Sequence, residues 1–181
     1  MKQKNEDYKR ELAFYNPSIR SFITGHESWF MGNYVRFLRL SEKYDKSKGA
    51  KKILEFIFKR MMRHYSRKTG FQIELHCVKP GIRIYHWGPI VINGNAQIGY
   101  NFTVFPRTTI GRIENSYPTI GDNVTMCFGS AVCGNVHVGN NSVIAPNAVV
   151  TKDVPDNAIV GGVPAKIIKY KNTNQFEGVG K

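Results

Sequence analysis

Long apolar runs, cysteine and acidic residues are all scarce in this sequence. No apolar stretch reaches the roughly 18 residues of a membrane-spanning helix, and the charged start MKQKNEDYKR is unlike a secretory signal, so we expect a cytoplasmic protein. The 3 cysteines include no C-x-x-C pair, which favours reduced buried thiols over a disulfide framework or a zinc site, and we expect no metal. The 181 residues are 41% hydrophobic, enough for one substantial domain or for a small domain with an extension.

The shortage of acidic residues gives the chain a strong positive charge. It has 26 basic and 13 acidic residues, a net charge of +13, and residues 1–72 hold 17 of the basic and 7 of the acidic ones. Such a field attracts nucleic acid, acidic membranes, polyanionic saccharides and phosphate-rich cofactors alike. Because the basic residues lack an RNA-binding motif with interleaved aromatic residues, we do not expect a nucleic-acid partner.

Residues 1–72 are predicted to form a helical segment, because apolar residues recur at helical spacing through 29–38 and 53–62. Breaks are indicated at Asn16-Pro17, Gly25, Gly32 and Lys48-Gly49. Residues 51–68 form a basic amphipathic pattern that could contact a membrane surface. We favour packing of its apolar face on the neighbouring domain or on another subunit.

An internal repeat begins after this segment. From Ile92 an aliphatic residue returns at every sixth position to Ile110, and the pattern resumes after a four-residue insertion at Ile120 and runs to Val150. Hexapeptide periodicity of this kind is typical of a parallel β-helix. Its short strands form the faces of a triangular prism, in which each aliphatic residue stacks on its counterpart eighteen residues away. Counting Val78 and Ile84, the repeat predicts about four coils.

Several motifs in order make residues 67–171 resemble the left-handed β-helix acyltransferases, in particular their serine acetyltransferase-like branch. The motifs are IRIYHWGPIVI, AQIGYNFTVF, TTIG, YPTIGDNV, GSAVCGNVHVGNNSVIAPNAVV and TKDVPDNAIVGGVPAKII. The resemblance implies a mainly β, left-handed parallel β-helix over 73–171, following the helical segment 1–72 and preceding a flexible tail, 172–181. It also implies a homotrimer and acetyl-CoA as co-substrate, bound in a groove between adjacent prisms.

His86 is the candidate general base. The step from Ile84 to Ile92 is eight residues instead of six, and a bulge there would re-aim a side chain. A lone histidine is more often structural, but the resemblance implies that His86 activates the acceptor hydroxyl for attack on the thioester carbonyl. Backbone N–H groups would hold the oxyanion, and the cysteines would take no part.

Departures from the serine acetyltransferase pattern suggest a different acceptor. Tyr85 stands where that pattern has an aspartate before the histidine, and Ser116-Tyr117 stands where it has an Arg-His pair. Tyr85, Trp87 and Tyr117 suit stacking on a sugar ring, so we expect a carbohydrate hydroxyl acceptor in capsular, O-antigen or exopolysaccharide synthesis. Serine or another small acceptor, including an amino sugar acetylated on nitrogen, and a non-catalytic scaffold are the alternatives.

The resemblance also indicates the cofactor contacts. Main-chain groups of the coil edges would hold the pantetheine arm, and two lysines could meet phosphates unless they are ordinary surface charges. The matching positions are Phe128, Gly129, Ala145, Pro146, Thr151, Lys152, Ala165 and Lys166.

Overall fold

The computed structural model describes residues 2–171, and the side chains from residue 8 onward. The predicted tail, 172–181, lies outside this range. Four helices come first, and the strands that follow form a solenoid of three sheets, in which only the last two strands of the described range pair antiparallel. The helices are α1 (Lys2–Tyr15), α2 (Ile19–Ile23), α3 (Glu27–Tyr44) and α4 (Lys51–Thr69).

The solenoid has three faces, which the chain visits in turn. Face A contains β1 (Phe71–Ile73), β3 (Ile90–Ile92), β6 (Thr109–Gly111), β9 (Ala131–Cys133) and β12 (Val149–Val150). Face B contains β4 (Gln97–Ile98), β7 (Thr119–Ile120) and β10 (His137–Val138). Face C contains β2 (Arg83–Ile84), β5 (Thr103–Val104), β8 (Thr125–Met126), β11 (Val143–Ile144), β13 (Ala158–Gly161) and β14 (Lys166–Tyr170).

The prediction of a hexapeptide-repeat solenoid is confirmed, but there are about five turns instead of four. The additional turn opens with Phe71–Ile73, which pairs with Ile90–Ile92 on face A. The repeat count left out Ile73, which is five residues before Val78 instead of six, and it ended at Val150, before Val160 of the last turn. The solenoid thus begins directly after α4, at Phe71, two residues before the predicted start.

The core consists of aliphatic columns, one behind each face. On face A, Ile92 is in register with Ile110, and Ile110 with Val132. All three side chains are at most 1% exposed, so each column removes a continuous strip of apolar surface from water. Asparagines with positive φ form one corner, and Asn101, Asn123, Asn141 and Asn157 bond to one another in a ladder of 3.1 Å side-chain hydrogen bonds.

The helical segment caps the open end of the solenoid. The Tyr15 hydroxyl donates to the Ile82 carbonyl (3.0 Å) and accepts from the Ile84 N–H (2.9 Å). The Tyr34 hydroxyl makes the same two kinds of bond with the carbonyl and N–H of Ile73. The first turn has no preceding turn to pair with, so these backbone groups would be buried without partners. The two tyrosine hydroxyls provide the missing hydrogen bonds.

A buried ion pair fixes α1 and α3 to the same end. Arg39 donates to both carboxylate oxygens of Glu11 (2.8 and 3.0 Å) and to the carbonyls of Val78 and Lys79. Burial would lower the pKa of Arg39, but the bonds and charge of Glu11 outweigh it and hold the pKa above its usual value. Glu11 accepts in addition from the Ile82 N–H (2.9 Å).

The apolar face of α4 packs only in part on the rest of the chain. Phe58 and Tyr65 contact Phe37 of α3, which belongs to the same helical segment. Ile53 and Phe56 remain exposed, at 65% and 68%, and their packing on another subunit stays a prediction.

Gly32, which was expected to break a helix, lies inside α3 instead. A Cβ there would be 2.9 Å from the Cβ of Tyr15, so glycine is needed for the close approach of α1 and α3. Across residues 2–171, no helix has the length and apolar character needed to cross a membrane.

Candidate active site

The predicted bulge holds His86 outward at the corner between faces C and A. β2 pairs with β5 and β3 with β6 in regular register, so the two extra residues lie between Ile84 and Ile92. His86 has φ +65°, a left-handed conformation that is uncommon for a non-glycine residue. The two extra residues thus lie at His86, where the break in the repeat indicated them, and their effect on the direction of this side chain stays a prediction.

Glu27, the first residue of α3, orients the His86 ring. Its Oε1 lies 2.9 Å from Nδ1 of His86, and its Oε2 accepts the Trp87 N–H at 3.4 Å. A carboxylate only accepts, so Nδ1 is the donor, and the lone pair of the neutral ring is on Nε2. The helical segment thereby selects the tautomer in which Nε2 can take a proton.

The pair is open to solvent on the side where a substrate would enter. The His86 side chain is 59% exposed and the Glu27 side chain 26%. Glu27 also stands at the N-terminus of an 18-residue helix, whose dipole favours a negative charge at that end. A base that is exposed on one edge and held by a carboxylate on the other resembles the arrangement of histidine bases in general acid–base catalysis.

Aromatic side chains form a strip beside His86 on face C. The Tyr85 ring stacks on Phe105 (centroids 5.0 Å apart, planes 9° apart), and Phe105 contacts Phe128 at 4.9 Å. Phe128 lies 6.3 Å from the His86 ring, with the planes 24° apart. Phe14 of α1 packs edge-on against Tyr85, at 5.3 Å. We call Phe14, Tyr85, Phe105 and Phe128 the aromatic strip.

Trp87 contacts α3 instead of the aromatic strip. Its ring is exposed and lies 5.6 Å from the ring of Phe30 on α3. Tyr85 and Trp87, both predicted to bind the acceptor, are therefore beside His86, and their role stays a prediction.

Most of the predicted cofactor positions lie on the same corner as His86, on the following turns. Phe128 and Gly129 connect β8 to β9, and Ala145 and Pro146 connect β11 to β12, in each case from face C to face A. Lys166 pairs with Gly161 at the end of face C, and the N–H of Ala165 donates to the Val149 carbonyl (2.8 Å). A groove along this corner would run from His86 toward the last turn.

Tyr117, Thr151 and Lys152 are not brought to this corner. They lie where the chain passes from face A to face B, after β6 and β12. Tyr117 ends a short excursion in which Ile113 and Ser116 form an antiparallel bridge, which accounts for the four-residue insertion. Within one chain, Tyr117 is thus separated from His86 by the width of face A.

The other histidines and the cysteines stand in structural positions. His26 caps α3 by accepting the Ser28 N–H, and His76 lies 3.2 Å from Asp45. Cys127 follows β8 on face C and Cys133 lies in β9 on face A, on adjacent faces as expected. Within residues 2–171 there is no group of three or more His, Cys, Asp or Glu side chains that could hold a metal ion.

The sequence did not reveal Glu27, Phe14 or Phe105 as members of this site. Glu27 is 59 residues from His86, and no spacing rule connects a helix start with a solenoid corner. Phe105 could have been found from the sequence. Ile84 and Val104 are paired in neighbouring strands, so the residues that follow them, Tyr85 and Phe105, are also neighbours.

Comparison with known families identifies the repeat. Residues 117–152 match the model described as "Bacterial transferase hexapeptide (six repeats)". The solenoid is a hexapeptide-repeat fold. The matched residues cover the later part of the solenoid, between the excursion that contains Tyr117 and the turn that contains Lys152.

Curated relatives with similar sequences are named serine acetyltransferases. The one from Buchnera aphidicola subsp. Schizaphis graminum is 34% identical over 116 residues, covering 59% of this chain and 44% of that protein. The one from Staphylococcus epidermidis is 35% identical over 124 residues, covering 64% of this chain and 57% of that protein. The chain spans about half the length of these relatives, and neither name supports the expected carbohydrate branch.

Solved structures share the fold over almost all of the chain. The serine acetyltransferase from Brucella abortus strain S19 superposes with a TM-score of 0.68 at 21% identity, covering 93% of this chain and 69% of that one. The same protein in complex with coenzyme A also gives a TM-score of 0.68 at 21% identity, covering 93% of this chain and 68% of that one. These likenesses include the helices as well as the solenoid.

Proposed function

We propose that the protein is an acetyl-CoA-dependent acetyltransferase in which His86 is the general base. The observation that carries the proposal is the His86–Glu27 pair on a solenoid corner, with Nε2 free to accept a proton. The hydroxyl oxygen of the acceptor attacks the thioester carbonyl as Nε2 takes its proton. The C–S bond then breaks, leaving the acetyl group on that oxygen, and the imidazolium returns the proton to the departing CoA thiolate. Glu27 stabilises the imidazolium that forms, and no covalent enzyme intermediate is required.

The donor is proposed to lie along the corner below His86. Phe128, Gly129, Ala145 and Pro146 line that corner, and Lys166 stands at its end as an exposed cation for a phosphate. A structure of a relative with coenzyme A supports this class of donor. Lys166→Glu should weaken CoA binding, which calorimetry would measure, and a native protein that binds no CoA would refute the proposal.

The second wall of the groove is proposed to come from another copy of the chain. Tyr117, Thr151 and Lys152 lie on the corner between faces A and B, and only a neighbouring prism can bring that corner to His86. A homotrimer provides this arrangement three times. Analytical ultracentrifugation should give a mass near three times 20.6 kDa, and a fully active monomer would refute the shared site.

For the acceptor, the comparisons favour a small hydroxyl compound such as serine, since relatives carry the name serine acetyltransferase. A carbohydrate hydroxyl is the second candidate, because the exposed rings of Tyr85 and Trp87 flank His86. The same base would serve an amine acceptor.

Thiol release from acetyl-CoA, measured with serine, neutral hexoses and an amino sugar, decides between these acceptors. Release with serine alone would exclude the saccharide, and release with hexoses alone would exclude serine. If no acceptor gives release that depends on His86, the protein is a non-catalytic scaffold.

A further inference from the structure

A cavity beside the aromatic strip has no role in the chemistry described so far. It has a volume of about 420 Å³ and lies between α1 and the first two turns of the solenoid. Its lining includes Arg10 and Phe14 from α1, Arg83 from β2, and Tyr100 and Asn101 from the second turn. Phe14 therefore belongs both to this cavity and to the aromatic strip.

The cavity is cationic. Its one lining carboxylate, Glu11, is already engaged, because its oxygens accept from Arg39 and from the N–H groups of Gly81 and Ile82. Arg10 and Arg83 are exposed, and neither forms an ion pair with any carboxylate whose side chain the structure describes.

A third cation lies at the edge of the cavity. The Lys79 ammonium stands over the Tyr100 ring, 4.8 Å from its centroid. Two unpaired guanidinium groups with an ammonium beside them suit a carboxylate or phosphate, whose oxygens a guanidinium can bind in pairs.

The position of the cavity points to the acceptor instead of the donor. The candidate donor positions lie on the turns after His86, whereas Arg83 precedes it and Arg10 comes from the capping helix. Arg83 and Tyr85 both point outward from β2 and the residue after it, with the buried Ile84 between them. Arg83 thus lies only three residues before His86, and Tyr85, whose ring belongs to the aromatic strip, stands between them in the chain.

We propose that this cavity binds an acidic group of the acceptor, a carboxylate or a phosphate, while the hydroxyl to be acetylated lies at His86. The proposal rests on the proposed acetyl transfer. The acceptor then extends from the cavity past Tyr85 to His86, so its acidic group and its hydroxyl must be several bonds apart, as they can be in an acidic sugar. This inference therefore selects the carbohydrate candidate over serine, whose carboxylate is only a few bonds from its hydroxyl.

The test compares glucose, glucuronate, glucose 6-phosphate and L-serine as acceptors in the thiol-release assay. With the native protein, an acidic sugar should have a KM at least about tenfold below that of glucose. Glucuronate and glucose 6-phosphate distinguish the carboxylate from the phosphate. Equal KM values for acidic and neutral sugars, or a lower KM for serine than for either acidic sugar, would overturn the proposal.

Variants of the two cavity arginines test whether the lower KM for acidic sugars comes from the cavity. Arg83→Gln and Arg10→Gln should each raise the KM for the acidic sugar about tenfold, with no change for glucose or in CoA affinity. Arg67→Gln, at an exposed arginine on α4, is the matched control and should change none of these values. An unchanged KM in Arg83→Gln would overturn the proposal.

Calorimetry separates this proposal from the proposed function. Glucuronate and glucose 6-phosphate should bind the native protein and bind Arg83→Gln about tenfold more weakly, whether or not acetyl transfer takes place. If this difference is found without any transfer, the anion site stands and the acetyltransferase proposal fails. If transfer occurs but the two proteins bind the anions equally, the anion site fails alone.

Discussion

The solenoid and the helical segment are held together over very different sequence distances. Ile92 and Ile110, stacked on face A, are eighteen residues apart, whereas Glu11 reaches Ile82 over 71 residues and Glu27 reaches His86 over 59. The repeat builds a regular surface on which His86 occupies one corner. The helices then provide the groups that cap that surface and orient the histidine, so the candidate site belongs to both regions.

The largest effect is expected from His86→Ala. Removing the proposed general base should lower kcat by roughly 10²–10⁴-fold, with little change in CoA affinity, since the ring is proposed to contact the acceptor hydroxyl and not the nucleotide. Thiol release under saturating acetyl-CoA measures it. Tyr117→Phe is the comparison, which should mainly raise the acceptor KM. The reverse result, with turnover lost only in Tyr117→Phe, would show that the base has been assigned wrongly.

The next largest effect is expected from a substitution that breaks the contact between the helical segment and the solenoid. Arg39→Met leaves the Glu11 carboxylate buried without its cation, and this should cost about 3–5 kcal/mol in the free energy of unfolding. Urea unfolding measures the loss. The control is Lys59→Met, which removes partly exposed pairs to Asp45 and Glu55 and should cost about 1 kcal/mol or less. Equal losses in the two variants would mean that the buried pair does not hold the cap in place.

Truncating a core residue of the solenoid should lower the free energy of unfolding far more than truncating an exposed residue of α4. Ile144→Ala removes a fully buried side chain from the face C column and should cost about 2–5 kcal/mol. Ile53→Ala, at the exposed surface of α4, should stay within about 0.5 kcal/mol if that surface faces water. Urea unfolding of the two variants and of the native protein measures both losses. A large loss for Ile53→Ala would instead indicate that another subunit covers α4.

The contribution of the helical segment to catalysis is tested by Glu27→Gln. Loss of the carboxylate that orients His86 should lower kcat about 10–100-fold, less than the roughly 10⁴-fold for a buried orienting carboxylate, because Glu27 is partly exposed. The KM for acetyl-CoA and the melting temperature should not change. Glu55→Gln, which removes a carboxylate from α4, should leave kcat unchanged. A parallel fall in kcat and melting temperature would assign Glu27 a structural role only.

The contrast between local contacts in the solenoid and long-range contacts of the helices explains how much of the structure could be predicted from the sequence. Column residues such as Ile110 and the corner asparagines follow from periodicity, because each turn repeats the same local requirements. The two residues added around His86 were detectable as a break in that period. Glu27 and Phe14 were not, since their positions depend on how the helices pack on the first turn, and no local pattern specifies that packing. The prediction that Gly32 breaks a helix was wrong for the same reason, because the close packing of α1 on α3 requires that glycine.

The smallest expected effect concerns the thiol of Cys77, at the junction of the two regions. Burial raises the pKa of Cys77 to about 12, and its Sγ donates to the Glu74 carbonyl at 3.0 Å. At pH 8 only about one molecule in ten thousand would carry the reactive thiolate, so alkylation by iodoacetamide should be far slower than at the half-buried Cys133. Mass spectrometry of peptides from the native protein measures both rates. We expect Arg39→Met to loosen the cap without unfolding the later turns, and so to accelerate alkylation of Cys77 while leaving that of Cys133 unchanged. Rapid modification of Cys77 in the native protein would mean that the helices leave the first turn easily, and that the solenoid does not depend on its cap.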